Sequence, residues 1–363
     1  MQNKNKFHHE ESSVLKLKPN YFLQDITESE KIFNELLCLD DLDKKIKEDP
    51  IIISNMEASI EESIANIYQK NTESESSHLF LQRVLYRINR MKLFWYDNLE
   101  NYRNECSRYL ASLKDRIEFA WLKCEENQLK PNKWESEDIK NELKKRYEED
   151  LEPEVGELDY YFRNKMTKEG YCCLLSIASL DGFVEASQLS RMIGGLGNEI
   201  QCVLTRLLFD EYGGGRLSRK HSTYFRDMLI ELGMNSDPEY YFQSVPWEVL
   251  ANINLSFYLC DRNLYFLRYI GGLLFTETSV PFAFKNYIIC AKRLKLSKKS
   301  YSYWDIHVKA DKIHGKWMLE DVAIPLAVKY DTSAWEILWG YDQQKFISRR
   351  AVSAVFRKIA SLN

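Results

Sequence analysis

YSYWDIHVKADKIHGKW, residues 301–317, is the stretch from which the rest of the chain is best read. His307, Asp311 and His314 stand at i, i+4 and i+7. At about 100° per residue these positions fall within a sector roughly 60° wide on one helix face. One metal ion, or a pair, can reach all three. The chain has six histidines. His8 and His9 lie in a polar N-terminal tail and His78 follows a Ser/Glu-rich stretch, so the histidines beyond residue 100 are His221, His307 and His314 alone.

Acidic residues spaced between these histidines complete a ligand inventory. Glu277 sits in RYIGGLLFTETSVPFAF, residues 268–284, where its helical neighbours are Leu273, Leu274, Val280, Pro281 and Phe284. A carboxylate pointing into that apolar interior needs a partner, because an unpaired buried charge costs several kcal/mol. A Lys or Arg could be that partner; a metal is the alternative that also places the histidines. Pro281 has no N–H for the carbonyl of Glu277, which predicts a kink beside it. Glu211 and His221 flank DEYGGGRLSRKH, residues 210–221, in which three glycines must end one helix before another begins. By itself this is an ordinary helix-turn-helix. Glu185, in LDGFVEASQLS, is the weakest member, since a lone Glu on an amphipathic helix commonly faces water.

As a set, Glu185, Glu211, His221, Glu277, His307, Asp311 and His314 make charge sense. Four carboxylates balance two Fe(II) ions, and three imidazoles complete a nitrogen and oxygen sphere suited to iron or manganese, with positions open to dioxygen. No thiolate is needed, which disfavours a structural zinc. Bridging carboxylates would hold two irons close enough for each to give one electron to O₂, with a bridged peroxide as the expected product.

Composition is compatible with such a chain. At 363 residues with 45% hydrophobic and 13% aromatic content, it can bury one large core or two smaller ones. A formal net charge of −4, with basic and acidic residues interspersed, provides no basic field for nucleic acid. The start, MQNKNKFHHEESS, lacks an apolar core of a signal peptide, and no run approaching eighteen apolar residues stands out, so a soluble cytoplasmic protein without membrane contact is expected. Eight cysteines without a C-x-x-C spacing read as buried free thiols in a reducing compartment.

Nearly all of the periodicity is helical. Amphipathic segments are expected at 29–48, 52–70, 76–104, 106–128 and 134–149, interrupted by Pro131 and Asn132. The acidic stretch EEDLEPEVGE, residues 148–157, marks a boundary. Beyond it, helices are expected at 167–193, 197–212, 218–233, 237–261, 263–294, 299–328 and 332–361. The expectation is therefore an all-α protein, with an N-terminal helical domain over 1–150 and a helical bundle over 151–363. No G-x-G-x-x-G or P-loop is present. Apolar stripes such as Ile32, Phe33, Leu36 and Leu37 need a covering surface, which suggests a homodimer built by the first domain, with packing on the second domain as the competing reading.

The order Glu, Glu, His, Glu, His-x3-Asp-x2-His, with intervals of 26, 10, 56 and 30 residues up to His307, resembles that of the haem-oxygenase-like diiron oxygenases and oxidases. The resemblance covers about 150–345. It implies a haem-oxygenase-like bundle, two iron ions held by the seven residues above, O₂ as co-substrate and an external electron donor or redox partner. It also implies that the metal orders the helix near 301–318. In layout the chain looks most like the N-oxygenases of the family that build an N-nitrosourea, which place a helical, dimer-forming segment first and continue into a metal-binding cupin. A cupin is not expected in this chain, so the expected chemistry is that of the diiron site. The reading that results is an N-oxygenase acting on the amine nitrogen of a small amino-acid-like metabolite in specialised metabolism. The alternatives are oxidative C–C or C–H cleavage of an amino acid or fatty acid at the same centre, and a non-enzymatic helical scaffold. A substrate carboxylate could meet Arg191, Arg216 or Arg268, although a helical arginine is more commonly a solvated surface residue.

Overall fold

A computed structural model describes residues 27–70, 74–129 and 138–362; the side chain of Glu185 lies outside what it describes, as do His8, His9, Pro131 and Asn132. Among the described residues every regular element is a helix, so the all-α expectation holds. The α-helices are α1 (Glu28–Cys38), α2 (Leu42–Glu48), α3 (Ser54–Ile64), α4 (Glu75–Arg90), α5 (Arg108–Leu129), α6 (Ile139–Leu151), α7 (Glu157–Asn164) and α8 (Lys168–Gly182). They continue as α9 (Ser190–Ile193), α10 (Glu199–Glu211), α11 (His221–Glu231), α12 (Trp247–Cys260), α13 (Phe266–Arg293), α14 (Ser302–Trp317), α15 (Ile324–Lys329) and α16 (Trp335–Ala360).

The long helix α13 is the spine, packed along α16 on one side and α14 on the other. Its approach to α16 depends on glycine. A Cβ on Gly271 would run into the carbonyl of Ile337, and one on Gly340 into the carbonyl of Arg268. Two backbones can come this close only where neither carries a side chain. Pro281 lies inside α13, which nevertheless continues as one helix from Phe266 to Arg293.

Several expected helices are divided, each for a local reason. The 29–48 segment breaks at Asp41, which adopts φ 48° and caps α2 by accepting from the N–H of Lys44. Asn104 fastens the break, donating to the carbonyls of Leu37 and Leu39 and accepting from the N–H of Leu42. The 76–104 segment ends at Arg90, whose carbonyl accepts from Trp95 Nε1 while its guanidinium pairs with Asp97 and Glu239, each at 2.7 Å. The 167–193 segment is long and apolar enough by composition to cross a membrane, contrary to the reading that no run stood out. It is interrupted by a 3₁₀ turn, Glu185–Leu189, where the hydroxyls of Ser187 and Ser190 bond to the carbonyls of Val184 and Ser187. Most of its apolar window is buried within the protein.

Residues from both sides of position 150 share one continuous core. Phe33, Leu36, Leu85 and Ile117 are buried in the same cluster as Leu250, Ile270 and Ile347. Asn254 Nδ2 on α12 donates to the Gln82 side chain on α4, and Asn89 Nδ2 donates to Asn254 Oδ1. The apolar stripe on α1 is covered within the chain, so it no longer requires a partner subunit. The cysteines are all free, but only Cys172, Cys173, Cys260 and Cys290 are buried; Cys38, Cys106 and Cys202 are exposed and Cys124 is half-buried.

Candidate metal centre

Four helices deliver the candidate ligands. Glu211 is the last residue of α10 and His221 the first of α11. Between them Gly213, Gly214 and Gly215 take φ values of 66°, 63° and 75°, a left-handed run that side chains other than glycine rarely adopt. A Cβ on Gly213 would also overlap the backbone at Arg219 and Lys220. The glycine turn thus folds the chain back tightly enough to set Nδ1 of His221 2.6 Å from Oε2 of Glu211. Helix α14 presents His307, Asp311 and His314 on one buried face, as their spacing requires, and α13 presents Glu277.

The arrangement centres on Glu211. Its Oε2 faces His221 Nδ1 and lies 3.6 Å from His307 Nε2, while its Oε1 lies 3.3 Å from His314 Nδ1. Glu277 Oε2 and Asp311 Oδ1 approach the same His314 nitrogen at 3.4 and 3.8 Å. Ligand atoms of Glu211, His221 and His307 all lie within 4.8 Å of one another, and so do those of Glu211, Asp311 and His314. Six of the seven candidate residues are therefore brought together and buried. The seventh, Glu185, begins the 3₁₀ turn, and its side chain lies outside the described residues.

Two outer contacts aim the imidazoles. His307 Nδ1 is 2.9 Å from the carbonyl of Tyr303, which takes its N–H and turns Nε2 inward as a lone pair. Asp210 Oδ2 lies 3.6 Å from His314 Nε2, so that Nδ1 faces the cluster. Asp210 was not among the sequence candidates; only its adjacency to Glu211 could have pointed to it.

Burial and charge divide the acids. Burial works to raise the Glu211 carboxyl, but the His221, His307 and His314 imidazoles outweigh it and hold it well below the ordinary range. Burial raises the Glu277 carboxyl, and it raises that of Asp311 well above its usual value, with Glu277 and Glu211 adding to the effect. His314 is opposed by burial, yet Glu211 and Glu277 push it up to about 10. Without a metal, the centre at neutral pH thus holds a Glu211 carboxylate beside a protonated His314. Glu211 Oε2, Asp311 Oδ1 and His314 Nδ1 are nonetheless buried without a hydrogen bond. Once His314 gives up its proton, these adjacent carboxylate oxygens and the imidazole nitrogen make a hard oxygen and nitrogen donor set that fits a divalent iron.

A cavity of about 190 Å³ opens onto Glu211, Glu277, His307 and Asp311. None of the three arginines suggested for a substrate carboxylate lines it. Arg191 pairs with Asp261 at 2.8 Å and donates to the Lys92 carbonyl, buried Arg268 pairs with Glu336 at 2.7 Å, and Arg216 is exposed.

Helix-borne carboxylates and imidazoles converging beside a cavity make a candidate metal centre, and the family described as iron-containing redox enzyme matches residues 174–343. The matched segment spans just under half of the chain and is similar to the haem-oxygenase-like iron enzymes. A nitrosourea synthase from Streptomyces achromogenes subsp. streptozoticus is 28% identical over 168 residues. This similarity covers 46% of the chain and 36% of the relative, so it spans about a third of the relative's length.

Proposed function

We propose that the protein is a non-haem diiron, O₂-dependent N-oxygenase that oxidises the amine nitrogen of a small amino-acid-like metabolite, with electrons from an external donor. The observation that carries the reading is the division of Glu211, one oxygen toward His221 and His307 and the other toward His314. One carboxylate shared by two triads suits two ions rather than one. His221 and His307 would serve the first, Asp311 and His314 the second, with Glu277 beside the second and Glu185 as the remaining carboxylate. When bound, iron would supply the electrons that reduce O₂ to a species able to oxidise a nitrogen lone pair.

The chain's own residues prepare that chemistry. Tyr303 and Asp210 fix the directions of two imidazoles, so little reorganisation is needed when metal enters. Leu273, Val280 and Phe284 line the cavity beside Glu277 and exclude water from its inner wall. The similarity to the nitrosourea synthase favours nitrogen as the oxidised atom. The test is a panel of primary amines and guanidines incubated with Fe(II)-reconstituted protein, reductant and ¹⁸O₂. The expected product gains ¹⁸O at nitrogen. Products that lose carbon or hydrogen without gaining oxygen would place the reaction with the C–C or C–H cleaving enzymes instead.

A further inference from the structure

The end of the cavity away from the imidazoles is built from neutral polar groups. Asn252 on α12 and Gln344 on α16 line it, 92 residues apart in sequence, beside Gly272 on α13. Gln344 Nε2 donates to Asn252 Oδ1 at 2.7 Å and to Ser348 Oγ at 3.1 Å, and Ser348 Oγ donates to Asn252 Oδ1 at 3.2 Å. These bonds engage one amide nitrogen and one amide oxygen. They leave Gln344 Oε1 and Asn252 Nδ2 without a partner among the described residues. Reversing both amides keeps the same inventory, one N–H₂ donor and one carbonyl acceptor side by side. Gly272 keeps the approach clear, since a Cβ there would stand 3.4 Å from Gln344 Oε1.

We propose that this amide pair recognises an uncharged donor–acceptor group on the substrate, a carboxamide or ureido group, in preference to a carboxylate. The proposal rests on reading the opposite end as the oxidising centre. A carboxamide can donate N–H to the free carbonyl and accept from the free amide nitrogen. A carboxylate would set lone pairs against that carbonyl, in a wall that also holds Asp181, a carboxylate outside the candidate ligand set. No lysine or arginine lines it to offset the cost of burying a second anion. Hydrogen-bonding sites discriminate strongly against ligands that leave their polar groups unpaired. Gly272 and Glu277 are five residues apart on α13, about 7.5 Å along its axis. That rise sets the length scale for a probe, and a primary amine joined to a carboxamide by four methylenes is of this order.

The probes are 5-aminopentanamide and 5-aminopentanoate, titrated calorimetrically into Fe(II)-loaded protein without oxygen, so that no turnover is needed. The amide is expected to bind at least tenfold more tightly. Gln344→Lys should reverse the order by placing an ammonium where the carbonyl stands, with iron content as in the wild type. Asn252→Asp, should the lysine variant fail to fold, is expected to weaken amide binding about tenfold by removing the donor. Equal affinities, a preference for the acid, or no binding of either probe to iron-loaded wild-type protein would overturn the proposal. Amide preference without ¹⁸O transfer to nitrogen in the panel above would leave this recognition site standing and remove the N-oxygenation reading.

Discussion

Oε1 of Glu211 lies 3.3 Å from Nδ1 of His314, while its other oxygen lies 2.6 Å from Nδ1 of His221. A carboxylate divided in this way couples two groups of ligands that come from different ends of the site. Removing it should therefore have a larger effect than removing any imidazole.

Glu211→Gln is expected to abolish iron binding at both positions, from about two ions per chain to nearly none. His221→Ala and His314→Ala should each lose about one ion. Anaerobic Fe(II) titration with iron quantified by mass spectrometry reads the difference. A Glu211→Gln protein that retained its full iron would show that the carboxylate is not shared.

The proton inventory of the metal-free centre gives a pH dependence. The pKa of His314 is raised from its ordinary 6.5 to about 10. Its contribution to stability is fully present below about pH 6.5 and is lost as pH rises through about 10. Asp311 is also raised, so its contribution likewise falls as pH increases, whereas depressed Glu211 loses its contribution on acidification. The melting temperature of iron-free protein is expected to fall between pH 6.5 and 10 more steeply than that of His314→Gln. Iron affinity should rise over the same window, because the metal displaces the protons. Thermal unfolding and iron titration at matched pH values check both slopes.

Metal binding should also tighten α14. Asp311 Oδ1 and His314 Nδ1 are buried without hydrogen bonds on its inner face, a cost that ligation relieves. Amide hydrogen exchange across Ser302–Trp317 is expected to slow on iron loading, while α4, which carries no candidate ligand, serves as the internal reference. Equal protection with and without iron would contradict the coupling.

Much of the centre was legible because helical periodicity is local. The spacing of His307, Asp311 and His314 fixes a common face whatever surrounds it, and the Gly213–Gly215 run announces a reversal that can join Glu211 to His221. Other features depend on pairings that no local pattern carries. Asn252 and Gln344 meet across α12 and α16, and each looks like an ordinary polar residue in its own helix. Arg191 and Arg268 were plausible anion binders until the fold paired them with Asp261 and Glu336. The breaks in 29–48 and 76–104 were missed for the same reason: Asn104 and Trp95 end helices through contacts that sequence periodicity does not register.

The last prediction concerns the join between the first helices and the rest of the protein. Arg83 on α4 is 2% exposed, and its Nη1 donates to both oxygens of buried Glu30 on α1, at 2.8 and 3.0 Å. Its Nη2 donates to the Gln243 carbonyl at 3.0 Å, so one guanidinium ties α1 and α4 to the 3₁₀ turn Phe242–Ser244. Arg83→Met would preserve much of the volume but leave the buried Glu30 carboxylate without its hydrogen-bonded cation, a change that costs about 3–5 kcal/mol. Adding Glu30→Met should recover most of that loss, because two apolar side chains leave no uncompensated charge. Urea midpoints of the wild type, both single variants and the double variant give the coupling directly, and iron stoichiometry should remain unchanged throughout. If Arg83→Met alone shifted the midpoint by less than about 1 kcal/mol equivalent, well below the buried-pair range, the ion pair would not be what holds α1 in place.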